Sequence, residues 1–440
     1  MACSVMWFRR DLRLGDNPAL LEAAASGDTV LPLFVLDPRL WDSAGRPRQA
    51  YLLASLESLR AQIGGLVVRC GDPAQEVARV VAEAGASNVY IAADYGPYGT
   101  KRDADVQRNL HDVAVPLVRV GSPYAVAPGR VLNQQGNSYQ VFTPFATAWR
   151  HHGWRAPVEA PSQVKWDWSY ESASLPEARV PDGITLPTAG EEAALTKWRA
   201  FASHGLATYD VDRNRPDLDA TSRMSVHLKW GEIHPRTMLA DLALSDAPEK
   251  AVDRFRTELA WREFYADVLA RRPDSATEYY RPQLAAMAYD EPGDQFVAWQ
   301  EGRTGFPIVD AGMRQLRAEG WMHNRVRMIV ASFLVKDLHI DWRHGARYFM
   351  DSLVDADGAS NQHGWQWVAG SGTDAAPYYR VFNPIDQGKK FDPQGVYIKR
   401  YVAELRDCPL DELHRPHNPI VDHAEERREA LARYEAVRSR

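Results

Sequence analysis

Short apolar runs rich in β-branched residues alternate with helical patterns over the first third of the chain. The helical patterns lie at Asn17–Ser26, Arg48–Ile63 and Pro73–Ala84. The apolar runs lie at Val5–Phe8, Val30–Leu36, Leu66–Arg69, Val89–Ala92 and Leu117–Val120. This alternation predicts right-handed crossovers and an α/β domain, a doubly wound parallel five-stranded sheet, which we place at residues 1–125.

The pattern changes beyond this domain. The stretch from Ala156 to Glu192 is rich in proline, glycine and acidic residues, which is typical of a connector. We therefore interpret residues 126–192 as an interdomain linker. From Glu191 onward helical spacing replaces strand-like runs, so residues 193–440 are predicted to form an all-α domain.

Composition narrows the protein class. The chain has 440 residues, of which 45% are hydrophobic and 25% charged, as in soluble globular proteins. Its three cysteines, Cys3, Cys70 and Cys408, are far apart, which argues against a disulfide framework and against a metal site. The chain has no apolar run long enough to span a membrane and no signal-peptide pattern. We expect a cytoplasmic protein.

Basic residues cluster locally although the net charge is −6. The stretch from Met313 to Arg347 contains seven Arg and Lys residues and three acidic residues. The stretch from Pro377 to Tyr401 contains five basic and two acidic residues. Solvated helix faces would explain this pattern equally well on their own. The aromatic and polar residues nearby favour a phosphate-binding rim.

Two C-terminal segments mix polar and aromatic residues. Asp355–Trp367 combines two carboxylates with amides and two indoles, and it is considered together with Trp321–Met328 upstream. Large aromatics are usually core residues, whereas carboxylates are almost never fully buried unless they are paired. Their mixture predicts a pocket wall for a flat aromatic ligand with polar edges.

Helical spacing groups further candidates. Glu258, Trp261, Arg262 and Tyr265 share one helix face, and so do Asn324 and Met328, at i and i+4. A solvated face with one half-buried Trp, and Met328 as a core residue, are the plain alternatives. Trp365 and Trp367 are two positions apart, hence on opposite sides of a helix.

Two other clusters suit anions. Thr221–Ser225 offers hydroxyl and backbone N–H groups at a possible helix start, although such stretches are commonly plain N-caps. Arg9–Arg13 follows the first strand, where ligands bind in doubly wound sheets, although a surface salt-bridge cluster is the alternative. No GxGxxG motif follows this strand, which argues against the alternative hypotheses of a dinucleotide-binding domain or a nucleotide-binding transferase.

The order of these motifs is similar to one known family. From Trp7-Phe-Arg-Arg-Asp11-Leu-Arg13 to Phe382-Asn-Pro384, the chain resembles photolyases and cryptochromes, and among them class I cyclobutane pyrimidine dimer photolyases. The resemblance is densest from Thr304-Gly-Phe-Pro307 to Gly372-Thr-Asp-Ala-Ala-Pro377-Tyr378. It implies a helical domain that binds folded FAD, and we expect a monomer. It also implies splitting of cyclobutane dimers in ultraviolet-damaged DNA, by electron transfer from photoexcited reduced FAD.

The resemblance also assigns residue roles. It implies FAD contacts from Tyr209, Thr221, Ser222, Arg223, Met224, Ser225, Arg262, Asn324, Arg327, Asp355, Asp357 and Asn361, with Asn361 beside flavin N5. It implies catalytic roles for Glu258 and Asn324, which would hydrogen-bond the pyrimidines, for Trp261 and Trp367, which would sandwich the dimer, and for Met328. DNA contacts would come from Arg213, Glu258, Trp261, Arg262, Tyr265, Asn324, Arg325 and Gln387.

The photoreduction chain of relatives maps to Trp365, Trp342 and Tyr289. The outermost position carries tyrosine where relatives have tryptophan. Either Tyr289 ends the chain by proton-coupled oxidation, or a nearby indole such as Trp299 replaces it.

A light-harvesting antenna is expected in the N-terminal domain. Asp94-Tyr-Gly-Pro-Tyr98-Gly99-Thr-Lys-Arg102-Asp103 resembles the antenna segment of relatives that bind a deazaflavin or flavin. We expect 8-hydroxy-5-deazaflavin, with FMN or an empty cleft as alternatives, because Gly99 lacks the folate-binding Glu and leaves room for a larger ring. The expected contacts are Arg10, Asp11, Arg13, Tyr98 and Arg102.

The residues at three positions of this chain argue against two subfamilies. Photolyases for (6-4) lesions typically carry histidines where this chain has Asn324 and Met328. Plant-type cryptochromes, which are blue-light photoreceptors, usually carry Asp at the position of Asn361.

Overall fold

The computed structural model describes residues 3–177, 179–374 and 379–438. Pro377 and Tyr378 of the motif noted above therefore lie outside the described residues. Within the described residues the strands are β1 Cys3–Phe8, β2 Thr29–Leu36, β3 Val67–Cys70, β4 Ala86–Ile91 and β5 Leu117–Arg119. The five predicted strands are confirmed, each with bounds within a few residues of the prediction.

The helices alternate with the strands at first and then follow one another. They are α1 Pro18–Ser26, α2 Pro38–Trp41, α3 Arg46–Ile63, α4 Pro73–Ala84, α5 Pro97–Asp112, α6 Phe142–His152, α7 Glu191–His204, α8 Tyr209–Asp212, α9 Ser225–Trp230, α10 Pro235–Ala243, α11 Glu249–Arg271, α12 Asp294–Glu301, α13 Pro307–Glu319, α14 Asn324–Lys336, α15 Trp342–Ser352, α16 Gly358–Ala369, α17 Pro384–Phe391, α18 Val396–Tyr401, α19 Leu410–Leu413 and α20 His423–Arg438. Short 3₁₀ turns occur at Leu206–Thr208, Pro273–Ala276, Pro282–Ala286 and Ala403–Leu405. None of the described helices is long and apolar enough to cross a membrane.

The sheet is parallel, with strand order β3-β2-β1-β4-β5. The order changes direction between β1 and β4, which is the place where ligands bind in doubly wound sheets. The residues of β1 and β2 are nearly all buried because helices cover both faces of the sheet. The α/β fold class predicted for the N-terminal part is confirmed.

The chain forms two compact units. Unit 1 contains Met1–Val180, Pro187–Ala207 and Ser222–Pro273, and unit 2 contains Pro181–Leu186, Thr208–Thr221 and Asp274–Arg440. Unit 1 holds the sheet and unit 2 is helical, with Trp299, Phe333, Trp342 and Trp365 in its core. The division into residues 1–125, 126–192 and 193–440 stays a prediction.

Part of the predicted linker belongs to the sheet of unit 1. Val30 donates its N–H to Lys165 and accepts from Asp167, each at 2.9 Å. These bonds continue the edge of β2 beyond the reach of β3, because β3 pairs only with Leu33–Leu36. The segment is thus held by backbone hydrogen bonds.

Buried charges also join distant parts of unit 1. The Glu232 carboxylate accepts from Tyr51 Oη at 2.8 Å, from Ser55 Oγ at 2.6 Å and from Gly190 N at 2.7 Å. Arg236 Nη2 donates to Asp16 Oδ1 at 3.0 Å. Buried carboxylates with this many partners fix α3, α10 and the loop after β1 together.

Candidate active site

The candidate residues fall in both units. Unit 1 contains Ser222–Ser225, the α11 group Glu258, Trp261, Arg262 and Tyr265, and the antenna candidates. Unit 2 contains Tyr209, Arg213, Thr221, Gln387 and the candidates from Tyr289 to Trp367. We describe each set within its own unit.

The α11 group lies on one face, as predicted. Glu258, Trp261, Arg262 and Tyr265 are all half-buried, whereas Leu259, Ala260, Glu263 and Phe264 on the other faces are buried. Half-burial leaves these four side chains accessible to a ligand.

Trp261 has a fixed orientation within unit 1. Its ring is stacked on Phe142, with the centroids 3.6 Å apart and the planes 6° from parallel. Phe264 meets the same indole edge-on at 5.8 Å. An indole held on one face by a second ring presents its other face as a rigid aromatic surface.

Arg262 is anchored by backbone carbonyls. Its Nη1 donates to Pro123 O at 3.0 Å and its Nη2 to Leu228 O at 3.3 Å. The guanidinium lies 4.8 Å from the centroid of the Tyr124 ring. Arg262 therefore also positions the end of α9, besides any ligand contact.

Glu263 and Asp267 are buried carboxylates that the sequence pattern did not lead us to expect. The Glu263 carboxylate accepts from Trp149 Nε1 at 2.6 Å, and from the backbone N–H groups of Ala125 and Val126. Burial raises its pKa. Because Trp149 lies in α6, this contact holds the helix that carries Phe142. Acids at i and i+4 on an otherwise apolar helix face were the available signal.

The Thr221–Ser225 segment leads into a helix start, as predicted. α9 begins at Ser225, and Arg223 adopts a left-handed φ of 53°. The Met224 side chain is buried, so only its backbone could meet a ligand. Ser222 Oγ accepts from Met224 N at 3.3 Å.

The predicted antenna edge contains a dense ion-pair cluster. Arg9 pairs with Asp103, and Arg102 pairs with Asp94 at 3.2 Å and with Asp103 at 2.9 Å. Burial acts to raise the pKa of Asp94, but the Arg102, Arg10 and Arg9 charges outweigh it and hold the pKa below its ordinary value. Tyr98 also donates its hydroxyl proton to Asp37.

The prediction that Asp11 and Arg13 line an antenna cleft is wrong. A Cβ added at Gly99 would lie 2.1 Å from the Asp94 carboxylate, so this carboxylate fills the space immediately beside Gly99. Asp11 and Arg13 are buried, and Arg13 donates to the carbonyls of Gly231 and Asp16. These two side chains hold the loop itself and cannot line a cleft.

A cavity of about 390 Å³ lies beside the same segment in unit 1. Tyr95, Thr100 and Arg271 contribute to its wall, together with Pro128–Gly129 and Leu132. Its volume is within the ~300–1,000 Å³ range of small-molecule sites.

In unit 2, α14 presents Asn324 and Met328. Asn324 is exposed and Met328 is half-buried, on the same face. His323 caps the helix by accepting from Arg325 N at 3.2 Å. The Arg325 guanidinium donates to Asn214 Oδ1 at 2.8 Å and lies 4.6 Å from the centroid of Phe391.

Arg327 and Asp355 are brought together. Arg327 Nη2 donates to Asp355 Oδ2 at 2.8 Å, and its Nε donates to Met322 O. Asp355 Oδ1 is buried and has no hydrogen-bond donor among the described residues. A buried carboxylate oxygen without a donor is costly, so this atom fits a ligand with N–H or O–H groups, as FAD has.

The first turn of α16 carries Asp357 and Asn361. Asp357 caps the helix by accepting from Ser360 N at 3.1 Å. Asn361 Nδ2 donates to Ala346 O at 3.0 Å and to Gln362 Oε1 at 3.2 Å. Its amide is therefore oriented, with the oxygen as the atom available to accept from a ligand.

The aromatics of the expected photoreduction chain lie in or against the unit 2 core. Trp365 and Trp342 are buried, and Trp367 on the other side of α16 is half-buried, as predicted. Trp299 is fully buried and its ring lies 6.2 Å from that of Trp365. This places Trp299 beside the inner station, so the substitution of an outer station by Trp299 is disfavoured.

The remaining unit 2 candidates are peripheral. Tyr209 is buried, whereas Arg213 and Gln387 are half-buried. The basic rim is only partly exposed, because Lys336 is buried and Arg314 is paired with Glu404. No group of His, Cys, Asp or Glu within the described residues is arranged to hold a metal ion.

Comparison with known proteins agrees with these features. A family model described as DNA photolyase matches residues 4–162, and one described as the FAD binding domain of DNA photolyase matches residues 255–436. The deoxyribodipyrimidine photo-lyase of Streptomyces griseus is 40% identical, over 100% of this chain and 99% of the relative.

Solved structures agree as well. A class III photolyase from Agrobacterium tumefaciens is 36% identical, with a TM-score of 0.95 over 100% of this chain and 98% of that chain. An archaeal photolyase from Sulfolobus tokodaii, described with two FAD molecules and a novel light-harvesting cofactor, is 29% identical, with a TM-score of 0.86 over 99% of this chain and 100% of that one. The subclass within the family stays a prediction. The family resemblance is confirmed, and the chain belongs to the DNA photolyase family.

Proposed function

We propose that this protein is a light-driven DNA repair enzyme that splits cyclobutane pyrimidine dimers. The observation that carries the proposal is the fixed indole of Trp261, backed by Phe142, beside the half-buried carboxyl group of Glu258 on the same helix face. A flat surface next to a polar group suits a stacked pyrimidine with hydrogen-bonding edges.

Unit 2 residues support the binding of FAD. Asp355 Oδ1 offers an unmatched acceptor, and the Asn361 oxygen suits the N5–H group that only a reduced flavin ring carries. The chemistry that FAD supplies when bound is photochemical donation of a single electron. The further contacts that we propose are Tyr209, Thr221–Ser225, Arg262, Asn324, Arg327 and Asp357.

Other side chains hold the lesion and the DNA. Trp261 and Trp367 stack on the bases, which contributes about 1–3 kcal/mol per base. Glu258 and Asn324 hydrogen-bond the pyrimidine edges, and Met328 contacts the dimer. Extruding the lesion from the duplex costs a few kcal/mol, and less for an already distorted pair. Arg325 fills the vacated space, and Arg213, Tyr265 and Gln387 contact the strand.

The antenna proposal remains a flavin-like chromophore in unit 1. We propose 8-hydroxy-5-deazaflavin first and FMN second, beside Tyr98 and Arg102 with Arg10 nearby. The cavity that includes Tyr95 and Thr100 supports such a ligand. Adding each chromophore and recording excitation spectra for repair tests this assignment. A repair band from folate alone would contradict it.

The decisive assay uses ultraviolet-irradiated DNA and the flavin-reduced protein. We expect light-dependent loss of thymine dimers and no action on (6-4) products, and a dark sample serves as the control. We also expect a monomer that acts on DNA in the cytoplasm.

A blue-light photoreceptor is the second candidate. It predicts flavin photochemistry without loss of dimers, so absence of repair in the presence of photoreduction would favour it. The amide at Asn361 favours repair.

A further inference from the structure

A tyrosine lies next to the second station of the proposed photoreduction chain. The ring of Tyr279 meets Trp342 edge-on, with the centroids 5.9 Å apart and the planes at 81°. Both rings are buried in unit 2. No motif in the sequence singles out Tyr279. This contact gives Trp342 an aromatic neighbour on the path towards Tyr289.

The Tyr279 hydroxyl group has a defined proton acceptor. Tyr279 Oη donates to Asp341 Oδ2 at 2.9 Å. The phenol of Tyr289 lies close enough for the two tyrosines to perturb each other's pKa. The single hydroxyl proton of Tyr279 is therefore directed to Asp341, with Tyr289 as its phenolic neighbour.

The proton acceptor of Tyr279 is charged. Burial acts to raise the pKa of Asp341, but hydrogen bonds from Arg343 and Tyr279 outweigh it and keep the pKa below its ordinary value. An oxidised phenol is a far stronger acid than a carboxylic acid, so the Asp341 carboxylate is basic enough to take its proton.

Trp342, unlike Tyr279, lacks a proton acceptor. Its Nε1 is buried and has no hydrogen-bond acceptor in the described part of the chain. An oxidised indole at this position keeps its proton and remains a strong oxidant. The Arg343 guanidinium lies 5.3 Å from the Tyr279 centroid and disfavours a cationic tyrosine radical. Oxidation of Tyr279 is thus coupled to loss of its proton.

We propose that Tyr279 is the direct electron donor to oxidised Trp342 and that Asp341 takes the phenolic proton. One electron moves from Tyr279 to the Trp342 radical cation, and the O–H bond of Tyr279 breaks as the Asp341 carboxylate is protonated. The products are neutral Trp342, a neutral Tyr279 radical and the neutral acid. Tyr289 then reduces Tyr279 and donates its own proton to the Tyr279 oxygen, and an added thiol reduces Tyr289. This inference rests on the proposed function, because light and FAD generate the oxidised tryptophan.

A neighbouring tyrosine provides a matched control. Tyr379 is stacked on Tyr434 with the centroids 4.4 Å apart. Its hydroxyl group is buried and has no hydrogen-bond partner among the described residues. A phenol without a proton acceptor is a poor electron donor to an oxidised tryptophan. Tyr379→Phe should therefore leave photoreduction unchanged.

The test is laser-flash spectroscopy of the oxidised holoprotein, with electron paramagnetic resonance of samples frozen under light. The wild type should give a neutral tyrosyl radical that forms more slowly in D₂O. Tyr279→Phe should abolish this signal and lower the yield of flavin photoreduction about tenfold. Asp341→Asn, which keeps the N-cap of α15, should slow radical formation. Tyr289→Phe should preserve the radical but slow its reduction by thiol.

Specific outcomes would overturn the proposal. They are an unchanged radical in Tyr279→Phe, an equal loss in Tyr379→Phe, or loss of the radical in Tyr289→Phe alone. Dimer splitting by chemically reduced wild type is measured on the same preparation. If splitting fails, the proposed function is wrong. If splitting occurs and no tyrosyl radical forms, only this inference is wrong.

Discussion

The indole of Trp261 and the ring of Phe142 lie face to face, 3.6 Å apart between centroids. The two residues belong to α11 and α6, more than a hundred positions apart in the chain. The orientation of the proposed base-stacking surface therefore depends on a helix that makes no predicted contact with DNA.

We expect both rings to affect lesion binding. Trp261→Ala should weaken binding of dimer-containing DNA by about 1–3 kcal/mol, because the stacking surface is lost. Phe142→Ala should weaken it less, since the indole remains but is no longer fixed. Binding titrations measure the effect, and flavin absorbance reports whether FAD is retained. Phe142→Leu, which keeps most of the bulk, is the control. Wild-type affinity in Trp261→Ala would refute the stacking role.

Glu263 should contribute strongly to the stability of unit 1. Glu263→Gln replaces one carboxylate oxygen by an NH₂ group, which then faces either the N–H donor of Ala125 or those of Val126 and Trp149. Leaving such buried groups unmatched costs about 1–3 kcal/mol. Urea unfolding measures the change. Glu249→Gln, on the exposed start of α11, should have almost no effect. Equal effects of the two substitutions would argue against the buried network.

Asn361 should set the reduction potential of bound FAD. Asn361→Asp places a carboxylate where we propose the flavin ring to bind, and a negative charge disfavours the reduced anionic flavin. We expect the potential to fall and photoreduction to become harder, as measured by spectroelectrochemistry. Gln362→Glu is the neighbouring control, and an equal shift there would show a general charge effect.

Lys336 should make stability depend on pH. Its Nζ donates to the carbonyl of Arg380 and lies 4.5 Å from the centroid of Tyr379. Burial lowers its pKa from 10.5 to about 7. Between these values the unfolded chain holds more protons, so the free energy of unfolding should rise with pH, by up to about 1.4 kcal/mol per unit. Below the folded pKa both states are protonated and this contribution is constant.

The comparison with Lys336→Met isolates this effect. Urea unfolding of both proteins at about pH 7.5 and about pH 9.5 should show the wild type gaining roughly 1–3 kcal/mol relative to the variant. A difference that does not change between the two pH values would contradict the lowered pKa.

Local patterns predicted the elements and the α11 face well. The strands β1 and β2 are buried on both faces, so their apolar character is continuous and easily recognised. The positions of Glu258, Trp261, Arg262 and Tyr265 follow from helical spacing alone. Such features depend on neighbours in sequence.

Contacts between distant residues could not be predicted in this way. Asp94 fills the space beside Gly99, because Arg102 and its neighbours neutralise the carboxylate at the sheet edge. The sequence predicts an exposed cation at Arg13, but its side chain is buried and donates to the carbonyl of Gly231. In each case the partner is set by tertiary structure, and composition gives no signal of it.

Unit 1 is built from three separate stretches of the chain, which affects how it can fold during synthesis on the ribosome. All five strands have emerged by Arg119, but Arg236, which pairs with Asp16, follows that residue by 220 positions. A nascent chain that has completed the sheet still lacks the partners of its buried carboxylate and of Tyr51. The sheet is therefore not a module that can be excised or exchanged at its own end. Its buried polar groups find their partners only when Glu232 and α10 have been translated.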